Sequence, residues 1–208
     1  LIYTSAIMMV LRFWFAGPIV AKLGPLGLLA TSAVLAIAGL YLLSSASGLF
    51  MIFVFATLYG FGKTFFWPTT LGVVSEQCPK GGALTLNAIA GIGMLAVGIL
   101  GGPVIGKMAE DAVKQSVIAE TDEETYGKIS KDSTYFLGDY TAVELAKVDS
   151  LKGDEKDTVK HSIQVGKQAS LASVAIFPVF MLVCYLALIF YFKGRGGYKP
   201  VELEEGKS

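Results

Sequence analysis

LFMIFVFATLYGFGKTFFWPTTLGVV, Leu49 to Val74, is long enough to cross a bilayer and keeps one cation, Lys63, inside it. At a rise of about 1.5 Å per residue, Lys63 lies about 21 Å along the helix from Leu49. In a hydrocarbon core ~30 Å thick it is out of easy reach of either surface. An ammonium there costs about 2.5 to 3.5 kcal/mol on insertion scales unless a cavity or a counter-charge receives it, so the default reading of such a group is functional. Helical spacing puts Tyr59, Lys63, Phe66, Trp67 and Thr70 on one face, while Val54, Leu58, Phe61 and Phe65 fall mostly elsewhere. Gly60 and Gly62 permit close backbone approach, and Pro68 cannot donate to the carbonyl of Thr64. Irregular backbone at membrane depth is tolerated where it is buried in protein or lines a wet cavity. The stretch therefore reads as a helix lining a wet pathway, with those five residues facing the pathway. The competing reading makes Lys63 a tether to a carboxylate on a neighbouring helix.

Working outward, Leu1 to Val20 is apolar apart from Arg12 and a few small polar residues, and reads as a first span. It lacks an initiating Met and the charged start of a signal peptide, so the sequence is expected to begin inside a longer protein. Turn signals follow at Gly17, Pro18, Gly24 and Pro25, then a second span, Leu26 to Leu43, and the uncharged turn Ser44 to Gly48. Beyond the opening stretch, a polar turn holds Glu76, Cys78, Pro79, Lys80, Gly81 and Gly82. Leu84 to Ile105 is the fourth span. Its Gly98, Gly102 and Gly106 recur every four residues, a small-residue stripe expected to pack against another helix. Pro103 removes the donor to the carbonyl of Ile99 and is expected to kink this span. Leu171 to Phe192 is the fifth, interrupted by Pro178, and Lys193, Arg195 and Lys199 follow in the tail.

Between the fourth and fifth spans, Lys107 to Gln168 holds nine Lys and thirteen Asp plus Glu. So much charge and so few apolar clusters predict an aqueous loop that carries short helices and forms no separate domain. Capping-box spacing at Thr121 with Glu124 and at Thr141 with Glu144 marks where such helices would start. Residues 1–107 thus hold four transmembrane helices, 108–168 an extracytoplasmic polar loop, 169–193 the last span and 194–208 a cytoplasmic tail. The orientation rests on Lys22, Lys80 and the tail cations sharing one side, which basic residues in short loops assign to the cytoplasm.

Composition agrees with an all-α membrane protein: 53% of the 208 residues are hydrophobic and mean hydropathy is +0.60. The 17 basic residues balance 17 acidic ones, so net charge points to no nucleic-acid partner. Cys78 and Cys184 belong to different membrane depths, which argues against a disulfide. No metal-ligand spacing accompanies His161, the only histidine, which is expected to be simply solvated. No nucleophile, paired base or metal-ligand set clusters at one depth, so neither an enzyme nor a cofactor is expected.

The order of these pieces resembles the C-terminal half of a major facilitator superfamily transporter, from its eighth to its twelfth transmembrane helix. GPIVAKLGP, Gly17 to Pro25, resembles the family's loop motif of Gly, acid, base and Gly followed by further bases. Gly17, Lys22 and Gly24 match, whereas Ala21 stands where the acid would be and Pro25 where a base would be. GFGKTFFWPT, Gly60 to Thr69, resembles the Gly-rich tenth helix, and SEQCPKGGA, Ser75 to Ala83, the turn before the eleventh. The resemblance implies five transmembrane helices of a six-helix half-bundle, partnered by a missing N-terminal half. It also implies rocking of the two halves about a midplane site. The implied activity is secondary active transport of a small organic solute, whether sugar, nucleoside or organic anion, with a proton or cation as coupling ion. The implied location is the inner or plasma membrane, spanned several times. Glu76 is then expected to approach Arg12 or Lys22, with Lys80 nearby, and to hold an inner gate. The competing function is a membrane scaffold or receptor whose acidic outer loop binds a partner.

Overall fold

The computed structural model describes residues 9, 16–135 and 138–202. In chain order the helices are α1 (Ala16–Ser44), α2 (Leu49–Thr64), α3 (Phe66–Gln77), α4 (Gly82–Ala96), α5 (Gly102–Glu120), α6 (Glu123–Ile129), α7 (Leu145–Ser150), α8 (Asp154–Val174) and α9 (Ile176–Gly194). A hairpin of β1 (Ser130–Tyr135) and β2 (Gly138–Val143) lies between α6 and α7. Four helical stretches are long and apolar enough to cross a membrane: Val20–Ser44, Leu49–Gln77, Pro79–Glu120 and Asp154–Gly194. The expected first span, with Arg12, lies largely outside the described residues. The chain divides into two compact units, Leu1–Met94 with Ala175–Ser208, and Leu95–Val174.

The first unit is built on α1. The expected turn over Gly17 to Pro25 narrows to one residue: Ala16 to Leu23 is helical, and the axis breaks at Gly24, whose φ of 68° a side chain rarely tolerates. Pro25 then sits at the start of the second piece, where its missing N–H costs nothing. Leu26, Leu29, Ala33, Ala36 and Leu40, spaced by three or four, are buried along one stripe. Leu26, Leu29 and Ala33 pack with Tyr185 of α9, and Phe66 and Val73 of α3 close over them. The opening stretch is helical on both sides of Phe65, where α2 ends and α3 begins, four residues after Phe61 and three before Pro68.

The second unit corrects the expectation for residues 107–168. Val113 and Val117 of α5, Tyr126 and Ile129 of α6, Val148 of α7, and Val159 and Ile163 of α8 form one buried core. Few as they are, the apolar residues recur at helical spacing and converge, and each fully buried aliphatic side chain is worth about 1.5 to 3 kcal/mol. A count of charges misses this because the charges occupy the opposite faces. The helix α6 is capped by Asp122, whose carboxylate accepts from the Thr125 N–H at 2.6 Å, one residue after the expected Thr121. Thr141 caps no helix. It lies in β2, where its hydroxyl meets the Tyr126 hydroxyl at 3.1 Å. The hairpin is a departure from the expected all-helical fold, tied down by the Val143 N–H donating to Glu110 at 3.1 Å. His161, expected to be solvated, is exposed but stands 3.5 Å from Glu120.

The glycines that bring helices together are not those of the stripe. Among the described residues, nothing beyond the local helix backbone lies within 4 Å of the Cβ position of Gly98 or Gly106, and Gly102 meets only Val97 of the preceding turn. Close approach occurs instead at Gly39, Gly62 and Gly166; a Cβ on Gly166 would fall 2.6 Å from the Val113 backbone. Ahead of Pro103 the backbone widens into a π turn, Val97–Gly101, which takes up the missing donor.

Candidate functional site

Gly62 of α2 lies against Ser32 and Ala36 of α1, so close that a Cβ would fall 2.5 Å from the Ala36 nitrogen. A Cβ on Gly39 of α1 would fall 2.7 Å from the Tyr59 backbone. These two contacts fix the rotation of α2 and with it Tyr59 and Lys63, one turn apart. The Lys63 ammonium lies 5.4 Å from the centroid of the Tyr59 ring, a cation–π contact worth about 0.5 kcal/mol when wet and about 2 when desolvated. Lys63 is half-buried, and Thr64 beside it is fully buried, its hydroxyl donating to the Gly60 carbonyl at 2.6 Å. Among the described residues no carboxylate oxygen lies within 4 Å of the Lys63 ammonium. A tether for Lys63 would need a partner outside them.

The other residues of the expected face go elsewhere. Phe66 stacks on Tyr185 at 6.4 Å between centroids, and the Thr70 side chain lies near the Tyr185 hydroxyl. Both therefore anchor α3 to α9. Trp67 is exposed and its ring edge lies against Gly93, 3.3 Å from where a Cβ would be. The five residues divide into a cation–aromatic pair, a two-residue hold on Tyr185, and a tryptophan at α4. Tyr185 was missed in the sequence; its signal is a hydroxyl within an apolar run.

Of the expected gate residues, Arg12 lies outside the described residues, and Gly17 and Lys22 lie on the helical piece before Gly24. Lys22 and Lys80 are exposed. Glu76 is not held by Lys22. Its carboxylate accepts from the Tyr198 hydroxyl at 2.6 Å, and its carbonyl accepts from the Val201 N–H at 2.8 Å. Gln77 donates to the Lys199 carbonyl at 2.9 Å. Burial, and then the adjoining Glu76 carboxylate, push Tyr198 up to about 12. The reason for the correction is reach: the tail doubles back and offers Glu76 a neutral donor at contact distance, whereas Lys22 points its charge into solvent.

The chain matches no protein-family model, no curated protein and no solved structure. A fixed ammonium on an aromatic face attracts anions and polarisable acceptors.

Proposed function

We propose that this chain is part of a secondary active transporter, the second half of a major facilitator superfamily permease with five spans of a six-helix bundle. It sits in the inner or plasma membrane with Lys22, Lys80 and the tail on the cytoplasmic side. The observation that carries the reading is Lys63: a cation inside an apolar span, held on Tyr59, with no carboxylate beside it among the described residues. A charge kept at that depth without a partner is a cost that a structural helix avoids and a pathway uses. The motifs in Gly17 to Pro25, Gly60 to Thr69 and Ser75 to Ala83 support the same reading. The cargo is a small organic solute, and a proton or cation drives it. Cells producing the full-length protein should accumulate such a solute above its outside level. The accumulation should collapse with a protonophore or on removal of the coupling cation, and the absence of any uptake at normal surface expression would defeat the proposal.

One observation favours a second reading. Residues 95–174 fold around a core of their own, as a partner-binding outer unit of a scaffold or receptor would. A full-length protein that captures a partner through this unit and moves no solute would support that reading over transport.

A further inference from the structure

The last helix does not simply run out into a tail. After Gly194 the chain reverses at Gly196 and Gly197, whose φ values of 90° and 98° a side chain rarely adopts. The turn is closed by the Gly197 N–H donating to the Phe192 carbonyl at 2.9 Å. It sends Tyr198 back over α9, ring edge against Phe192 at 5.1 Å between centroids. From there the Tyr198 hydroxyl, the Lys199 carbonyl and the Val201 N–H meet two consecutive residues, Glu76 and Gln77, at the end of α3. Two of these bonds run from the tail into Glu76, one of them to a carboxylate, the stronger kind of hydrogen bond. The tail thus joins the ends of two helices that are far apart in sequence.

The same segment is lightly packed. Tyr198 is only half-buried and Val201 is 48% exposed. A cavity of about 260 Å³, lined among others by Gly24, Pro25, Ile189, Phe192 and Tyr198, remains beneath it. The α3–α9 contact around Phe66 and Tyr185 is made without the tail. A segment held by a few directional bonds over an unfilled space can detach without dismantling the core, because such opening spans a wide range of free energies within one protein.

We propose that residues 195–201 are a strap that latches the end of α3 to the end of α9, and that its release is what lets this end of the helix bundle open. The latch is the contact of Tyr198, Lys199 and Val201 with Glu76 and Gln77, and its hinge is the glycine pair. The proposal concerns the conformation of the bundle and stands whether or not the chain transports.

Amide hydrogen exchange on the whole protein in lipid nanodiscs tests it. Tyr198→Phe keeps the ring on Phe192 and removes only the donor to Glu76. It should raise exchange in residues 71–77 about tenfold and leave Leu29 to Ala36 of α1 unchanged. The double variant Gly196→Ala with Gly197→Ala alters the hinge and none of the latching groups, and it should do the same. Unchanged exchange at 71–77 in both variants would overturn the strap. So would a uniform rise that includes α1, which would make Tyr198 ordinary core packing. Absence of uptake by the unaltered protein would count against the transport reading alone, and raised exchange at 71–77 in the variants supports the strap whatever the uptake.

Discussion

At the scale of single residues, Lys63 and Tyr185 show how a polar group survives in an apolar span. Lys63 is held over the Tyr59 ring, with no carboxylate within 4 Å among the described residues. Tyr185 is held by its ring, which packs with Leu26, Leu29 and Ala33 and stacks on Phe66. Tyr185→Phe leaves the stacking intact and removes only the hydroxyl, and even a full side-chain hydrogen bond in a membrane protein averages only about 0.6 kcal/mol. Thermal unfolding in detergent should therefore show a small loss for Tyr185→Phe and a loss several times larger for Tyr185→Ala, where the packing goes as well. Equal losses would mean that the hydroxyl, and not the ring, holds α3.

At the scale of elements, close contact between helices is decided by where a glycine faces, not by how regularly glycines recur. Gly62→Val would drive a side chain into the Ala36 backbone, and overpacking of this kind costs about 1 to 3 kcal/mol. Gly106→Val meets open space and should be nearly neutral in the same unfolding assay. A reversal of that order would restore the stripe as the packing surface. Four helices long and apolar enough to span were legible because long apolar runs have few alternatives, and Gly62 was legible as a close-approach residue. The glycine stripe meets no partner helix among the described residues, because a repeat of four marks one face of a helix without saying what covers it. Glu76 was expected beside Arg12 or Lys22 because all three belong to the same end of the spans; Arg12 lies outside the described residues, and the donor found at Glu76 is Tyr198, 122 positions later.

The unit of residues 95–174 was the least legible element, since its core is seven residues spread over four helices in a strongly charged background. A fragment of residues 106–174 should unfold cooperatively on heating, and a gradual, non-cooperative change would remove the claim of a core. Its stability should also depend on acid. Asp122 is held below the usual carboxylate range by the Thr125 N–H, and Asp149 by its bonds to Lys160 and then Lys156. A carboxyl depressed in the folded state contributes stability that is full above its unfolded value, about 3.9, and is lost as pH falls through its lower folded value. The melting temperature of the fragment should hold through neutral pH and fall below about pH 4. A fall that begins near neutral pH would mean that these two carboxylates do not set the acid limit.

At the scale of the whole molecule, the proposed orientation puts the long loop outside the cell and Lys22, Lys80 and the tail in the cytoplasm. Ser133→Cys, in β1 of that loop, should react with a membrane-impermeant maleimide added outside intact cells. Reaction only after the inner face is exposed would invert the topology. The central claim is that Lys63 serves transport, and it is tested most directly by solute accumulation in cells producing the full-length protein, compared with cells producing Lys63→Ala and Lys63→Arg at equal surface expression. The account predicts that Lys63→Ala inserts normally but abolishes or strongly reduces accumulation. Lys63→Arg, a cation of different shape and hydration, should retain part of it. Normal accumulation by Lys63→Ala would contradict the account.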